Sequence, residues 1–221
     1  MTQSTAADPL PKGPHSLSRD EVQASQRTRL KGAVTELLAE GGFAAVTIGE
    51  LARRAGVSRA TFYALYDSKE DCLLAAYDDF AARQLQAMSA GVDQRLSWDA
   101  FIATTLEAYL ASLELDPVAA RAFMLEMDSA GDRVRARRRE ATRGFGTLLA
   151  LRHAAIRRLD PRLGELPETV YHGLVLGVRE LVRERLEEER EPRLTKLAPD
   201  VITWITATVE GAAAARERAE R

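Results

Sequence analysis

Ser18 and Glu21, Thr47 and Glu50, and Ser68 and Asp71 are each a hydroxyl side chain with a carboxylate three positions on. In such a capping box the hydroxyl accepts from a backbone N–H of the first helical turn, and the carboxylate reaches back to the N-cap N–H. Each pair therefore predicts a helix start. Glycines supply the stops, at Gly41-Gly42 and again at Gly56, where a left-handed residue closes a helix at least cost. This punctuation predicts a long helix from 18 to 40, a short one from Thr47, a turn at Gly56-Val57 and a second short helix from Ser58. Asp116-Pro117 and Asp160-Pro161 mark two more starts, each pairing an N-cap carboxylate with a proline whose missing N–H costs least there.

The apolar residues keep helical time. Leu30, Ala33, Val34, Leu37 and Leu38 make a buried stripe for the first helix, and Ile48, Leu51, Ala52 and Ala55 make one for the second. No stretch alternates in the manner of a strand, so the expected fold is all-α, with further helices near 68–90, 97–114, 117–128, 132–159, 167–190 and 197–218. Residues 1–17, rich in Ser, Thr, Pro and Gly and without a signal-peptide core, read as a disordered tail. The expected organisation is a tail over 1–17, a helix-turn-helix domain over 18–69 and a larger helical domain over 70–221.

Hydrophobic residues make up 46% of the chain, enough for a core, and the formal charge of −2 excludes a generally basic nucleic-acid coat, which leaves any DNA contact to one local face. The single cysteine, Cys72, excludes an internal disulfide, and no Cys/His group has metal-ligand spacing. Those features predict a cytoplasmic protein with no metal and no cofactor. No uncharged apolar run reaches the roughly 18 to 20 residues that span a bilayer, so no membrane association is expected. His153 and His172 lack partners for a metal site, and no nucleophile or acid–base constellation points to catalysis.

The segment "GVSRATFYALYDSKE", Gly56 to Glu70, is where the short helices carry chemistry. A helix entering a DNA major groove needs one apolar side to hold it and one side of small, polar or basic residues to face the bases. At about 100° per residue, Phe62 turns inward with Val57 and Tyr66 nearby, while Arg59, Ala60 and Tyr63 fall on the other side. Arg59 can donate twice to guanine, and Ala60 permits close approach or contact with a thymine methyl. Thr47, Ser58, Thr61, Tyr63 and Lys69 can reach phosphates, helped by the unpaired N–H groups at helix starts.

From about Leu30 to Leu74 the sequence resembles the DNA-binding region of the TetR family of bacterial transcription regulators. The matching marks are Gly42-Phe43, Thr47-Ile48, Leu51-Ala52, Ala55-Gly56-Val57-Ser58, Thr61-Phe62-Tyr63, Tyr66 and Ser68-Lys69-Glu70. The resemblance implies that Thr47, Ser58, Arg59, Thr61, Tyr63 and Lys69 occupy positions that commonly contact operator DNA. Ala60 departs from a frequent glycine and Ala64-Leu65 from frequent aromatic or histidine side chains, which concentrates base reading on Arg59.

The resemblance also implies a homodimer that answers to a small-molecule effector. For the effector pocket the aromatic and apolar candidates are Tyr77, Phe80, Phe101, Tyr109, Phe123 and Met127, with Glu126 to orient a ligand. For the dimer the candidates are Val170, Leu174, Val178 and Leu181 on one helix and Val201, Ile202, Ile205 and Val209 on the last, with Gly173 and Gly177 permitting close backbone approach. The function expected is a ligand-responsive regulator, more specifically a repressor on a near-palindrome. An all-helical enzyme or a protein-interaction module built on the C-terminal part is the alternative.

Overall fold

The computed structural model describes residues 18–93, 95–160 and 163–219; the tail expected over 1–17 and the start at Pro161 lie outside them. Among the described residues the regular structure is helical throughout. The α-helices are α1 (Arg19–Ala45), α2 (Ile48–Ala55), α3 (Arg59–Leu65), α4 (Lys69–Ser89), α5 (Trp98–Leu115), α6 (Pro117–Arg121), α7 (Asp132–Arg157), α8 (Glu168–Glu188) and α9 (Ala198–Ala219).

The expected caps form, but only one box closes in both directions. Ser18 Oγ accepts from the Glu21 N–H at 3.2 Å, while the Ser18 N–H donates to Glu21 Oε2 at 2.7 Å. Thr47 and Ser68 accept from the N–H of Glu50 and Asp71. Their carboxylates have other partners: Glu50 pairs with Arg53, and Asp71 accepts from the Ser68 hydroxyl and from Arg133. A nearby guanidinium outcompetes a single backbone N–H for a carboxylate.

Two expected boundaries move. The backbone leaves helical geometry at Gly41 and Gly42, as the sequence predicts, yet it resumes for one more turn to Ala45. Gly42 sits at φ 67° and ψ −176°, a conformation essentially reserved for glycine, so the chain kinks there without ending. The helix expected over 117–128 is instead three short pieces: α6, a π-helical turn over Ala122–Glu126 and a 3₁₀ turn over Met127–Ala130. The widened turn buries Ala122, Phe123 and Met124.

The chain divides into two compact units, one running to Phe80 and including Val118–Arg135, the other made of Ala81–Pro117 and Ala136 onward. In the first, α1 packs on α2, α3 and the π and 3₁₀ turns. Its core holds Leu30, Leu38, Leu51, Phe62, Leu73 and Phe123, all fully buried. In the second, α5 packs on α9 and on a 3₁₀ turn over Leu194–Leu197. Its core includes Leu110, Leu113, Val182, Leu186 and Val209.

Candidate nucleic-acid interface

Three cations, two from α1 and one from the start of α4, meet carbonyls at the ends of the helices of the helix-turn-helix unit. The last carbonyls of a helix have no intrahelical partner, and the negative end of the dipole lies there. Arg29 Nη1 donates to the carbonyls of Ala55 and Gly56 at the end of α2, at 2.5 and 3.3 Å. Arg27 Nη1 donates to the Leu65 carbonyl at the end of α3, at 2.9 Å, with its guanidinium over the Tyr66 ring. Lys69 Nζ donates to the carbonyls of Val46 at 2.8 Å and Phe43 at 3.3 Å after α1, over the Phe43 ring.

Gly56 makes the turn between the short helices. It adopts the left-handed conformation, φ 62° and ψ 41°, and its N–H and that of Val57 return to carbonyls of α2. Ser58 then caps α3 by accepting from the Thr61 N–H at 2.9 Å, and its hydroxyl also pairs with Thr61 Oγ1 at 2.9 Å. Phe62, fully buried, anchors α3 from beneath, with Leu65 and Tyr66 buried beside it. The anchor leaves Arg59, Ala60 and Tyr63 outward; Tyr63 is 57% exposed, its ring edge against Phe62. Thr47 and Ser58 are exposed as well, and Thr61 is half-buried.

The structure therefore brings Thr47, Ser58, Arg59, Ala60, Thr61 and Tyr63 onto α3 and the caps of α2 and α3. Lys69 has a second duty that the sequence reading did not assign. Two of its hydrogen bonds go to backbone carbonyls, so the ammonium is tied to the end of α1. Arg27 and Arg29 escaped that reading because nothing local distinguishes them from solvated residues on the polar side of α1. Their one sequence signal is position: they precede the buried stripe that begins at Leu30.

Arg59 lies against Gly49, near the start of α2. A Cβ added to Gly49 would stand 2.8 Å from Arg59 Nη2, so the guanidinium occupies the space that the missing side chain leaves. The other arginines of α2 are engaged by acids: Arg53 by Glu50, and Arg54 by Glu40 in a bidentate pair at 2.7 and 2.9 Å. Hydrogen bonds from these guanidinium groups hold the carboxyls of Glu40 and Glu50 below the ordinary glutamate range. Arg59, by contrast, has no carboxylate partner among the described residues.

Residues 32–76, which take in α2, α3 and their caps, match the family described as bacterial regulatory proteins, tetR family. This stretch is a TetR-family DNA-binding region. Two curated relatives agree. The chain is 31% identical over 94 residues to the HTH-type transcriptional repressor KstR2 of Rhodococcus jostii, covering 41% of this chain and 46% of that protein. It is 22% identical over 117 residues to the fatty acid metabolism regulator protein of Bacillus subtilis, covering 53% of this chain and 60% of that one. The matches thus span about half the length of these relatives. In fold, the chain is similar to the regulator FadR of Bacillus subtilis solved with stearoyl-CoA, at a TM-score of 0.72 and 18% identity over 80% of this chain and 96% of that one. It is also similar to FadR of Bacillus halodurans, at 0.74 and 18% identity over 81% and 94%.

The expected effector residues fall into different units. Tyr77, Phe80 and Phe123 form a tight aromatic cluster in the first, the rings of Phe80 and Phe123 being 4.9 Å apart, with Met127 buried in the same unit. Glu126 Oε2 lies 3.1 Å from the position of a Cβ on Gly42, so the carboxylate stands at the α1 kink of that unit. Phe101 and Tyr109 belong to the second unit, where Phe101 lies beside Trp98 and under the Arg152 guanidinium.

The expected dimer residues also divide. Leu174, Val201, Ile205 and Val209 are buried by this chain alone and fill the second unit's core, while Val170, Val178, Leu181 and Ile202 are half-buried. Gly177 makes room for the Trp204 indole of its own chain, whose Cη2 would stand 2.5 Å from an added Cβ. Among the described residues, the large apolar side chains left outward on α8 and α9 are Leu176, 42% exposed, and Trp204, 39% exposed. A helical stripe alone does not say which of its two edges an intrachain neighbour will take.

Proposed function

We propose that the chain is a homodimeric, effector-responsive transcriptional repressor of the cytoplasm, acting by operator binding rather than by catalysis. The observation that carries this reading is α3 itself: anchored by Phe62, held at its end by Arg27, and presenting Arg59, Ala60 and Tyr63 outward. Those are side chains a major groove accepts, and Arg59 supplies the base-reading donors. Thr47, Ser58, Thr61, Tyr63 and Lys69 take the phosphates.

One α3 reads only a few base pairs, so two related by a twofold axis would read half-sites of a near-palindrome. The dimer face on this reading is the outer edge of α8 and α9, at Leu176 and Trp204 with the exposed Gly173 between helix and partner. The effector would bind the two dimer states unequally and so shift the population away from the spacing that fits DNA. The relatives associated with fatty-acid metabolism and stearoyl-CoA make a fatty acyl thioester the first effector to try.

The test is a footprint of the purified chain on DNA flanking its own gene, at fixed salt, with Arg59→Ala alongside. Protection of a near-palindrome that the variant loses supports the reading. No protection anywhere in a whole-genome fragment pool, with protein stripped of ligand, overturns it.

A further inference from the structure

Gly49 is a glycine without a backbone reason to be one. It is the second residue of α2, and its φ is not positive; among the described residues that conformation belongs to Gly42, Gly56 and Gly131. Inside a helix glycine is a weak former, because it surrenders the most backbone freedom and packs no side chain. A glycine at such a position makes room for something.

What it makes room for is one side chain. The three nearest atoms to a Cβ built on Gly49 all belong to Arg59: Nη2 at 2.8 Å, Cζ at 3.6 Å and Nε at 3.7 Å. The guanidinium thus lies along the backbone at the start of α2, closer than van der Waals contact with a side chain there would permit. An alanine would be accommodated by moving the guanidinium, since the tip of a long side chain gives way more readily than a capped helix turn.

This contact braces Arg59 and leaves its donors free. The residue is exposed, and its guanidinium takes part in no hydrogen bond or ion pair among the described residues, unlike Arg53 and Arg54 of α2, which are paired with Glu50 and Glu40. The first turn of a helix presents N–H groups rather than carbonyls, so it offers a surface without engaging the five guanidinium donors. A flat fork supported on one side and open on the other suits bidentate contact with guanine, where orientation matters as much as charge. An unsupported arginine must instead order its long side chain on binding.

We propose that Gly49 is a positioning residue for DNA reading: by leaving its side-chain space to the Arg59 guanidinium, it sets which base pair Arg59 addresses. Position 49 on α2 is then a specificity determinant that acts through Arg59 rather than through a contact of its own. This rests on the reading of α3 as the helix that enters the groove.

The test uses the full chain, a randomised duplex pool and one fixed salt concentration, with wild type, Gly49→Ala, Arg59→Ala and the double variant. Each protein is then titrated with the duplex that wild type recovers and with every single base-pair change of it. Gly49→Ala is expected to bind the recovered duplex about fivefold more weakly, the cost of ordering one long side chain. The loss falls on one base pair, the one at which Arg59→Ala loses discrimination, and the salt slope is unchanged. In the Arg59→Ala background the glycine substitution has no effect. Alanine favours a helix, so the thermal midpoint of Gly49→Ala is equal to or above that of wild type. An equal loss on every duplex, the same loss with and without Arg59, a lowered midpoint, or wild-type preference retained in Gly49→Ala overturns the proposal. Recovery of no duplex by wild type overturns the operator reading as well, so the two failures are distinct.

Discussion

The two units differ in degree in how their buried polar groups are met: among the described residues the first leaves Arg29 Nε without a partner, the second Trp98 Nε1, Thr105 Oγ1, Arg138 Nε, Arg152 Nε, His153 Nε2 and His172 Nδ1. In the first, Arg27, Arg29 and Lys69 reach the carbonyl ends of α3, α2 and α1, so the helix-turn-helix is held by charge-assisted hydrogen bonds between segments distant in sequence. In the second, Trp98, Thr105 and His153 keep polar atoms unpaired inside the bundle. A reading head needs one geometry, and paired polar groups supply it.

The largest effect expected from breaking this contrast is at Phe62. Phe62→Ala should lower stability by about 3–5 kcal/mol, because it empties a fully buried site under α3. Denaturant unfolding measures this, and DNA binding to every sequence should fall with it. A milder loss, on the order of 1–3 kcal/mol, is expected for Arg29→Ala, which leaves the Ala55 and Gly56 carbonyls without their cation. Were stability unchanged, those hydrogen bonds would contribute nothing to holding α2.

Arg59→Ala separates reading from holding. It should cost about 1–3 kcal/mol of operator affinity at one base pair while stability moves by less than about 0.5 kcal/mol. Lys69→Ala should instead weaken all sequences evenly, lower the salt slope by about one, and reduce stability too, because the same ammonium holds Phe43 and Val46. Gly49→Ala should act through Arg59 by displacing its guanidinium. A change of preference at the Arg59 base pair with an unaltered salt slope is the expected outcome, smaller than that of Arg59→Ala.

The smallest effect is a pH dependence from the second unit. His153 has a folded pKa depressed chiefly by burial, with Arg157 adding to it, so below the ordinary histidine value of about 6.5 the unfolded chain binds more protons. Its contribution to stability should be complete above that value and be lost as pH falls toward the folded pKa. Comparing the stability of wild type and His153→Phe between pH 5 and 8 measures it, and parallel curves would show that His153 titrates alike in both states.

The sequence and the structure agree most closely where structure is local. The starts at Thr47 and Ser58, the turn at Gly56 and the inward Phe62 were all legible, because each depends on residues within one or two helical turns. The π and 3₁₀ turns after α6 were not, since Ala122, Phe123 and Met124 are buried against neighbours far away in the chain. Among the site residues, the outward set of α3 was readable from helical phase alone. Lys69's carbonyl contacts, Glu126's place at Gly42 and the burial of Leu174, Val201, Ile205 and Val209 were not.

What the sequence by itself determined is where helices begin and end and which face of α3 points inward, since caps, glycine conformations and the 3.6-residue period act over a few residues. Only the tertiary structure decided which neighbour takes each remaining face and which distant cation meets each carbonyl end. A stripe of valines and leucines is equally suited to its own chain's core and to a partner, and an arginine side chain long enough to reach solvent is long enough to reach another helix. Packing chooses between them, because burial rewards whichever apolar surface and polar group the assembled fold brings within contact distance.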